Sequence, residues 1–218
     1  MRMIVGRCQL CGEYAPLTDD HLPPKYLYPK VMRHTLVDMH TVKACDRCNN
    51  GSKEHDELFK VFVGLVADSP WQNELHESVQ ATLKNNNRLL RLIEDNGRIE
   101  EQNLPDGTPM SVRVVKIPPE SRDQIQAVVD RMIKGLFFRK YSEVLVDQHQ
   151  LGMFIPEALH PTKLAEMQSA SQSAIWESIN NGTVRFLFIT LENGDIVVVV
   201  NLFETVEFDY VIQKKQVQ

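Results

Sequence analysis

The chain has 218 residues, a formal charge of −5 and 43% apolar residues. That composition supports a packed core and excludes global disorder. No apolar run approaches the roughly 20 residues that span a bilayer, and "MRMIVGRCQLCGE" is too short and too soon interrupted for a secretory signal, so a cytoplasmic protein without membrane contact is expected. The negative charge argues against bulk coating of nucleic acid. Residues 1–60, however, hold nine Lys/Arg against eight Asp/Glu, so a nucleic-acid contact there would rest on local placement and bound cations.

The first quarter of the chain reads as short extended pieces and loops carrying all four cysteines. They form two Cys-x-x-Cys pairs, Cys8/Cys11 and Cys45/Cys48, separated by 33 residues. Each pair is a knuckle able to hold one side of a tetrahedral zinc, and two knuckles complete a four-thiolate shell with no open position. The expected ion is therefore structural Zn²⁺, with redox chemistry as the lesser alternative and disulfides disfavoured in a reducing compartment. A head this small cannot be held by apolar burial alone, so the zinc is expected to supply much of its folding free energy.

After the second knuckle the pattern turns helical, with Leu58, Phe59, Phe62, Val63 and Val66 on one face. Ser69-Pro70, with Gln72 behind it, signals a second helix, expected to run to about Asp95. "EDNGRIEEQNLPDG" reads as a polar connector and "MSVRVVKI" as a strand. Ser121 with Gln124 predicts the cap of the clearest helix, where Ile125, Val128, Val129, Met132, Ile133, Leu136 and Phe137 keep a 3-4 spacing. A further helix is predicted within 162–179. Two β-rich runs around Asn193-Gly194 signal a hairpin with a type I′ turn, buried on both faces at "IVVVV", and "VEFDYVI" offers a third strand.

The expected class is α+β: a zinc-stapled head over 1–68, then a helical middle and a C-terminal α+β region with antiparallel strands over 69–218. The role of the second part is left open between recognition, dimerisation and partner docking.

Between the knuckles lies "LTDDHLPPKYL", with Asp20 and His21 before Pro23 and Pro24. "CQLC", "DHLPP" and "CDRCNNGSK" in this order resemble the HNH endonuclease family, the nucleases with a ββα-metal site. The resemblance covers about residues 5–60. It implies a metal-dependent phosphodiester hydrolase in which Asp20 and Asn49 hold a catalytic Mg²⁺ or Mn²⁺ and His21 is the general base. The residue chemistry is compatible. Asp20 offers a hard anionic oxygen and Asn49 a neutral one. On an extended strand His21 points away from Asp20, and its ordinary pKa of roughly 6.5 suits a base. The family places an Asn five residues before the third cysteine, where this chain has His40. That histidine either orients His21, contacts phosphate or marks a lost activity.

DNA is preferred over RNA as substrate, and a homodimer or protein partner through the C-terminal region is left open. The competing reading is a non-catalytic zinc module that binds nucleic acid or protein. Lys53, His55 and Asp56 are read first as a solvated helix face, with Asp56 as a third-ligand alternative. The basic residues Arg122, Arg131, Lys134, Arg139 and Lys140, like Lys84, Arg88 and Arg91 beside Asn85–Asn87, are also read first as solvated, with nucleic-acid contact as the alternative. His34, His76, His149 and His160 show no metal spacing.

Overall fold

The computed structural model describes residues 4–35, 39–50, 53–67, 70–103, 107–145, 149–153 and 174–214, without the side chains of 112–113. The fold is α+β. Strands β1 (Ile4–Arg7), β2 (Tyr14–His21) and β3 (Thr41–Cys45) form an antiparallel sheet in that order. Between β2 and β3 run a 3-10 turn (Lys25–Leu27) and the short α1 (Lys30–Thr35). Directly after β3 come α2 (Asp46–Asn49) and α3 (Lys53–Val66).

The predicted second helix is two helices, α4 (Gln72–Asn85) and α5 (Asn87–Asn96). Asn86 breaks the run because its side chain accepts from the Leu89 N–H and caps α5. The expected polar connector forms a strand, β4 (Gly97–Asn103), paired with β5 (Pro109–Val115). Its alternation is mostly polar, so periodicity gave no apolar face to detect. The long α6 (Pro119–Tyr141) starts two residues before the expected cap, and Ser121 lies buried inside its first turn.

A second sheet takes the order β6-β10-β9-β8-β7, all antiparallel, from β6 (His149–Met153), β7 (Glu177–Ile179), β8 (Val184–Thr190), β9 (Ile196–Leu202) and β10 (Val206–Lys214). The helix expected within 162–179 lies outside the described residues up to 173. Its last three positions are strand β7, which pairs with β8. The turn between β8 and β9 is not type I′, because Gly194 has positive φ and Asn193 does not. Gly194 N–H donates to Leu191 O and Leu191 N–H to Asp195 O, as in a type I turn followed by a left-handed residue.

One face of this sheet stacks on the helices, with Phe208 against Phe59 and Phe62 of α3, and Phe188 against Phe137 of α6. The other face carries Leu187, Ile189, Val197 and Val199, so β9 is buried on both sides as expected. The larger apolar core runs from Cys8 through α3 and α6 to Ile212, apart from the smaller cluster on that other face. Helix α6 is its axis and approaches the β2 end closely. A Cβ at Gly135 would overlap the Leu22 side chain, so only glycine lets Leu22 seat there. Among the described residues, no helix is long and apolar enough to cross a membrane.

Candidate metal centre and the Asp20–His21 strand end

The four cysteines converge as expected. Their sulfurs all lie within 4.8 Å of one another, and Cys11 Sγ and Cys45 Sγ are 3.8 Å apart. Four sulfurs about 2.3 Å from a central zinc stand about 3.8 Å apart along a tetrahedral edge, so the donors fit that ion. The thiols are free, and Cys45 N–H donates to Cys8 Sγ at 3.3 Å. Burial alone would raise the Cys8 thiol. Backbone N–H groups of Cys45, Cys11 and Leu10 outweigh it and bring the pKa down to about 7. Cys48 is driven strongly upward by burial and by the Cys45 and Cys11 sulfurs. Four thiolates at this spacing require a cation among them. The site is a candidate structural zinc centre, and among the described residues it is the one group of three or more metal-ligating His, Cys, Asp or Glu side chains.

Strand β2 ends at Asp20 and His21, and the β2–β3 register sets their faces. Thr18 and Asp20 stand opposite Ala44 and Val42, Asp19 and His21 opposite Lys43 and Thr41. The first face is buried at Asp20, Val42 and Ala44, while Thr18 is exposed. The second is partly open and carries the Asp19–Lys43 ion pair at 2.7 Å. Adjacent side chains thus diverge.

Asp20 is only 5% exposed. Its carboxylate faces Arg131 of α6, with Nε 3.5 Å from Oδ2, and Arg131 Nη2 donates to Asp56 Oδ1 of α3 at 2.5 Å. Asp56 and Arg131 are each 8% exposed. Asp56 and Arg131 are therefore not solvated, contrary to the first reading of both. A guanidinium sits between two buried carboxylates. No signal in either helix pattern marked the pair, since the contact joins residues 75 apart. Burial raises the Asp20 pKa to about 6, the Arg131 charge opposes the rise, and Asp56 adds to it.

Two stability predictions follow from this trio. Arg131→Met leaves two buried carboxylates without their cation, and removing one partner of a buried ionic group costs about 3–5 kcal/mol. Urea titration at pH 7.5 is expected to show that loss and to show less of it at pH 5, where Asp20 is protonated. Asp20 itself acts in the opposite sense. Between about pH 4 and 6 the folded chain holds a proton that the unfolded chain has released, so this group's contribution to stability falls as pH rises through that window. Asp20→Asn is therefore expected to raise the urea midpoint at pH 7.5, with a ceiling of about 3 kcal/mol for a two-unit shift. The gain should vanish at pH 4. A variant less stable than the native chain at pH 7.5 would contradict it.

His21 is half-buried. Burial, followed by the charge of Lys25, lowers its pKa; Asp19 opposes and Arg33 adds to the effect. At neutral pH the imidazole is neutral and able to accept a proton. Asn49, the last residue of α2, donates Nδ2 to Thr18 Oγ1 at 2.8 Å and to Asp19 O at 3.1 Å. It ties the helix start to the strand that carries Asp20 and His21, and its Oδ1 is the atom left for a cation. The amide nitrogen is committed to β2, and Asp20 to the Arg131 side.

His40 lies just before β3. Its carbonyl accepts from Leu22 N–H at 2.9 Å, and its ring Nδ1 meets Arg139 Nη1 at 3.2 Å. Nε2 is buried and has no hydrogen-bond partner among the described residues, so neither ring nitrogen bonds His21. The ring is turned to α6, which orients it away from the role of steadying His21. Burial and then Arg139 lower its pKa.

Sequence reasoning missed Asn180. It is 2% exposed and left-handed. Its Nδ2 donates to Leu22 O at 2.9 Å and to Tyr28 Oη at 2.8 Å, and its Oδ1 accepts from His40 N–H at 2.8 Å. Tyr28 Oη bonds Thr183 Oγ1 in turn. One side chain from the second sheet thus grips both flanks of the β2–β3 loop. "NNG" at 180–182 was a legible turn signal, but the partners of Asn180 lie 140 to 158 residues away.

No family model matches this chain, and no curated protein or solved structure matches it.

Proposed function

We propose that the chain is a metal-dependent endonuclease of the HNH type, hydrolysing phosphodiester bonds in nucleic acid, with DNA preferred. The observation that carries this reading is the end of β2, where Asp20 and His21 diverge onto opposite faces and the imidazole is held neutral. A base and an acid that flank one phosphate without meeting each other need that arrangement. The cost of Asp20 gives further support. A buried acid raised to about 6 is a strained choice for packing alone, and such groups concentrate at functional sites.

The donors offered to a divalent ion are hard oxygens, Asp20 Oδ2 and Asn49 Oδ1. Oδ2 is buried without a hydrogen-bond partner among the described residues, although Arg131 stands 3.5 Å away. That chemistry suits Mg²⁺ or Mn²⁺. A bound ion supplies polarisation of the phosphodiester and stabilisation of the departing oxygen. His21 takes the proton from the attacking water. Asn49 keeps β2 in register with α2, and the cysteine cluster fixes both.

Arg131 favours a second reading. Its guanidinium already balances Asp20 and Asp56 from within the protein. In that case the site holds no divalent ion, and the chain is a non-catalytic zinc module that binds nucleic acid or protein. Nicking of supercoiled plasmid with Mg²⁺ or Mn²⁺ separates the two. The enzyme reading expects metal-dependent nicking that His21→Ala removes while zinc content holds. The module reading expects no nicking by the native chain in either metal.

A further inference from the structure

A polar cleft of about 530 Å³ opens beside the β2–β3 loop, lined by His40, Thr41, Arg139, Ser178, Asn181 and Gly182. Its volume falls in the range of ligand sites. Its lining is unlike an apolar pocket, because most of it is hydroxyl, amide, imidazole or guanidinium. It also adjoins the proposed chemistry. Thr41 stands directly opposite His21 across the hairpin, and His40 O is bonded to Leu22 N–H, one residue beyond His21.

We infer that this cleft binds a backbone phosphate of the nucleic-acid strand that His21 addresses, with Arg139 as its principal contact. Charge is the first reason. The chain as a whole is negative, yet Lys25, Arg33 and Arg139 gather around this end of the hairpin, the first two close enough to depress His21 and the third close enough to depress His40. Arg139 is exposed, so its remaining N–H groups reach solvent. The C-terminus of α6 carries about half a negative charge, less than the full charge of Arg139 that stands over it.

Hydrogen bonding is the second reason. Arg139 donates to His40 Nδ1, which places the neutral ring's proton on the buried Nε2, so the ring fixes the guanidinium and the exposed N–H groups of Arg139 are the donors left for a ligand. Guanidinium is the side chain best matched to phosphate oxygens. Asn180 holds the His40 backbone in place through its bond to His40 N–H. His40, at the position where the resemblance expects an asparagine, here steadies the arginine that meets the phosphate.

The inference rests on the nucleic-acid reading above, and its test separates the two. Anisotropy of a labelled DNA duplex is measured against salt with the full zinc-loaded chain and no added Mg²⁺. Arg139→Ala is expected to weaken binding about tenfold and to lower the slope of log K against log salt by about one. Asn181→Asp, which adds a negative charge to the rim and gives up the Nδ2 bond to Thr35 O, is expected to weaken binding, whereas Asn181→Ser, which gives up the same bond without the charge, is expected to bind like the native chain. Arg91→Ala, on exposed α5 away from the cleft, is expected to change neither quantity.

The cleft assignment fails if Arg139→Ala binds duplex like the native chain. It also fails if Arg91→Ala loses as much, or if a 5′-mononucleotide binds and duplex does not. Loss of binding in Arg139→Ala alongside a native chain that never nicks plasmid keeps the cleft and overturns the endonuclease. Nicking that Arg139→Ala leaves untouched in KM and kcat does the reverse.

Discussion

Cys45→Ser is expected to abolish zinc binding and unfold the N-terminal sheet. Cys45 closes β3, is nearly fully buried, and belongs to the apolar core that continues through α3 and α6. Its sulfur lies 3.8 Å from that of Cys11, and its N–H bonds Cys8 Sγ. Serine removes one thiolate and buries a hydroxyl at the junction of both knuckles. Structural zinc in small domains contributes on the order of 10 kcal/mol. Here part of the head is held independently. Leu22 sits on Gly135, and Asn180 grips Leu22 and His40. A loss of about 4 kcal/mol or more is expected, which in a chain of this size lowers the melting temperature by roughly 8–16 °C. Zinc released per chain, read with a chromogenic chelator under denaturation, should fall well below the native value. Chelation of the native chain should reproduce the unfolding. A variant that keeps full zinc and the native melting temperature would remove the cluster from its structural role.

The cysteine cluster and the long helix α6 were readable because their cues are local. Two-residue cysteine spacing and the 3-4 periodicity of α6 each require only neighbours in sequence. The β8–β9 hairpin was readable for the same reason, and only its turn type differed, because Asn193 uses its side chain to bond Asp195 N–H and does not take a left-handed backbone. What stayed hidden depends on distant contacts. Arg131 and Asp56 each look like one more charge on a helix, and only the packing of α6 on α3 makes them a buried pair. Asn180 looks like a turn residue, and only its reach to Leu22 and His40 makes it a clamp. Strand β4 carries little apolar alternation and β6 is five residues long, so neither rises above the pattern of a loop.

His21→Ala is expected to lower kcat for plasmid nicking by a factor on the order of 10²–10⁴, the usual worth of a positioned general base. KM should change little, because the imidazole acts in proton transfer and contributes little to uniform binding. The pH profile gives a second readout that loss of structure would not mimic. Burial and the charge of Lys25 lower the His21 pKa, so the native chain should gain activity as pH rises, with the His21 limb centred below the value of about 6.5 ordinary for histidine. In His21→Ala the limb set by the imidazole should disappear from whatever activity remains, leaving the one set by Asp20 at about 6. Asp20 titrates near the same range, at about 6, but with a different outcome. Asp20→Asn should lose nicking while gaining stability at pH 7.5, whereas His21→Ala should lose nicking with zinc content and urea midpoint near native. A chain in which Asp20→Asn gains stability and keeps its nucleic-acid binding, yet never nicked in the native form, is the zinc module, with Arg131 permanently in the place of the divalent ion.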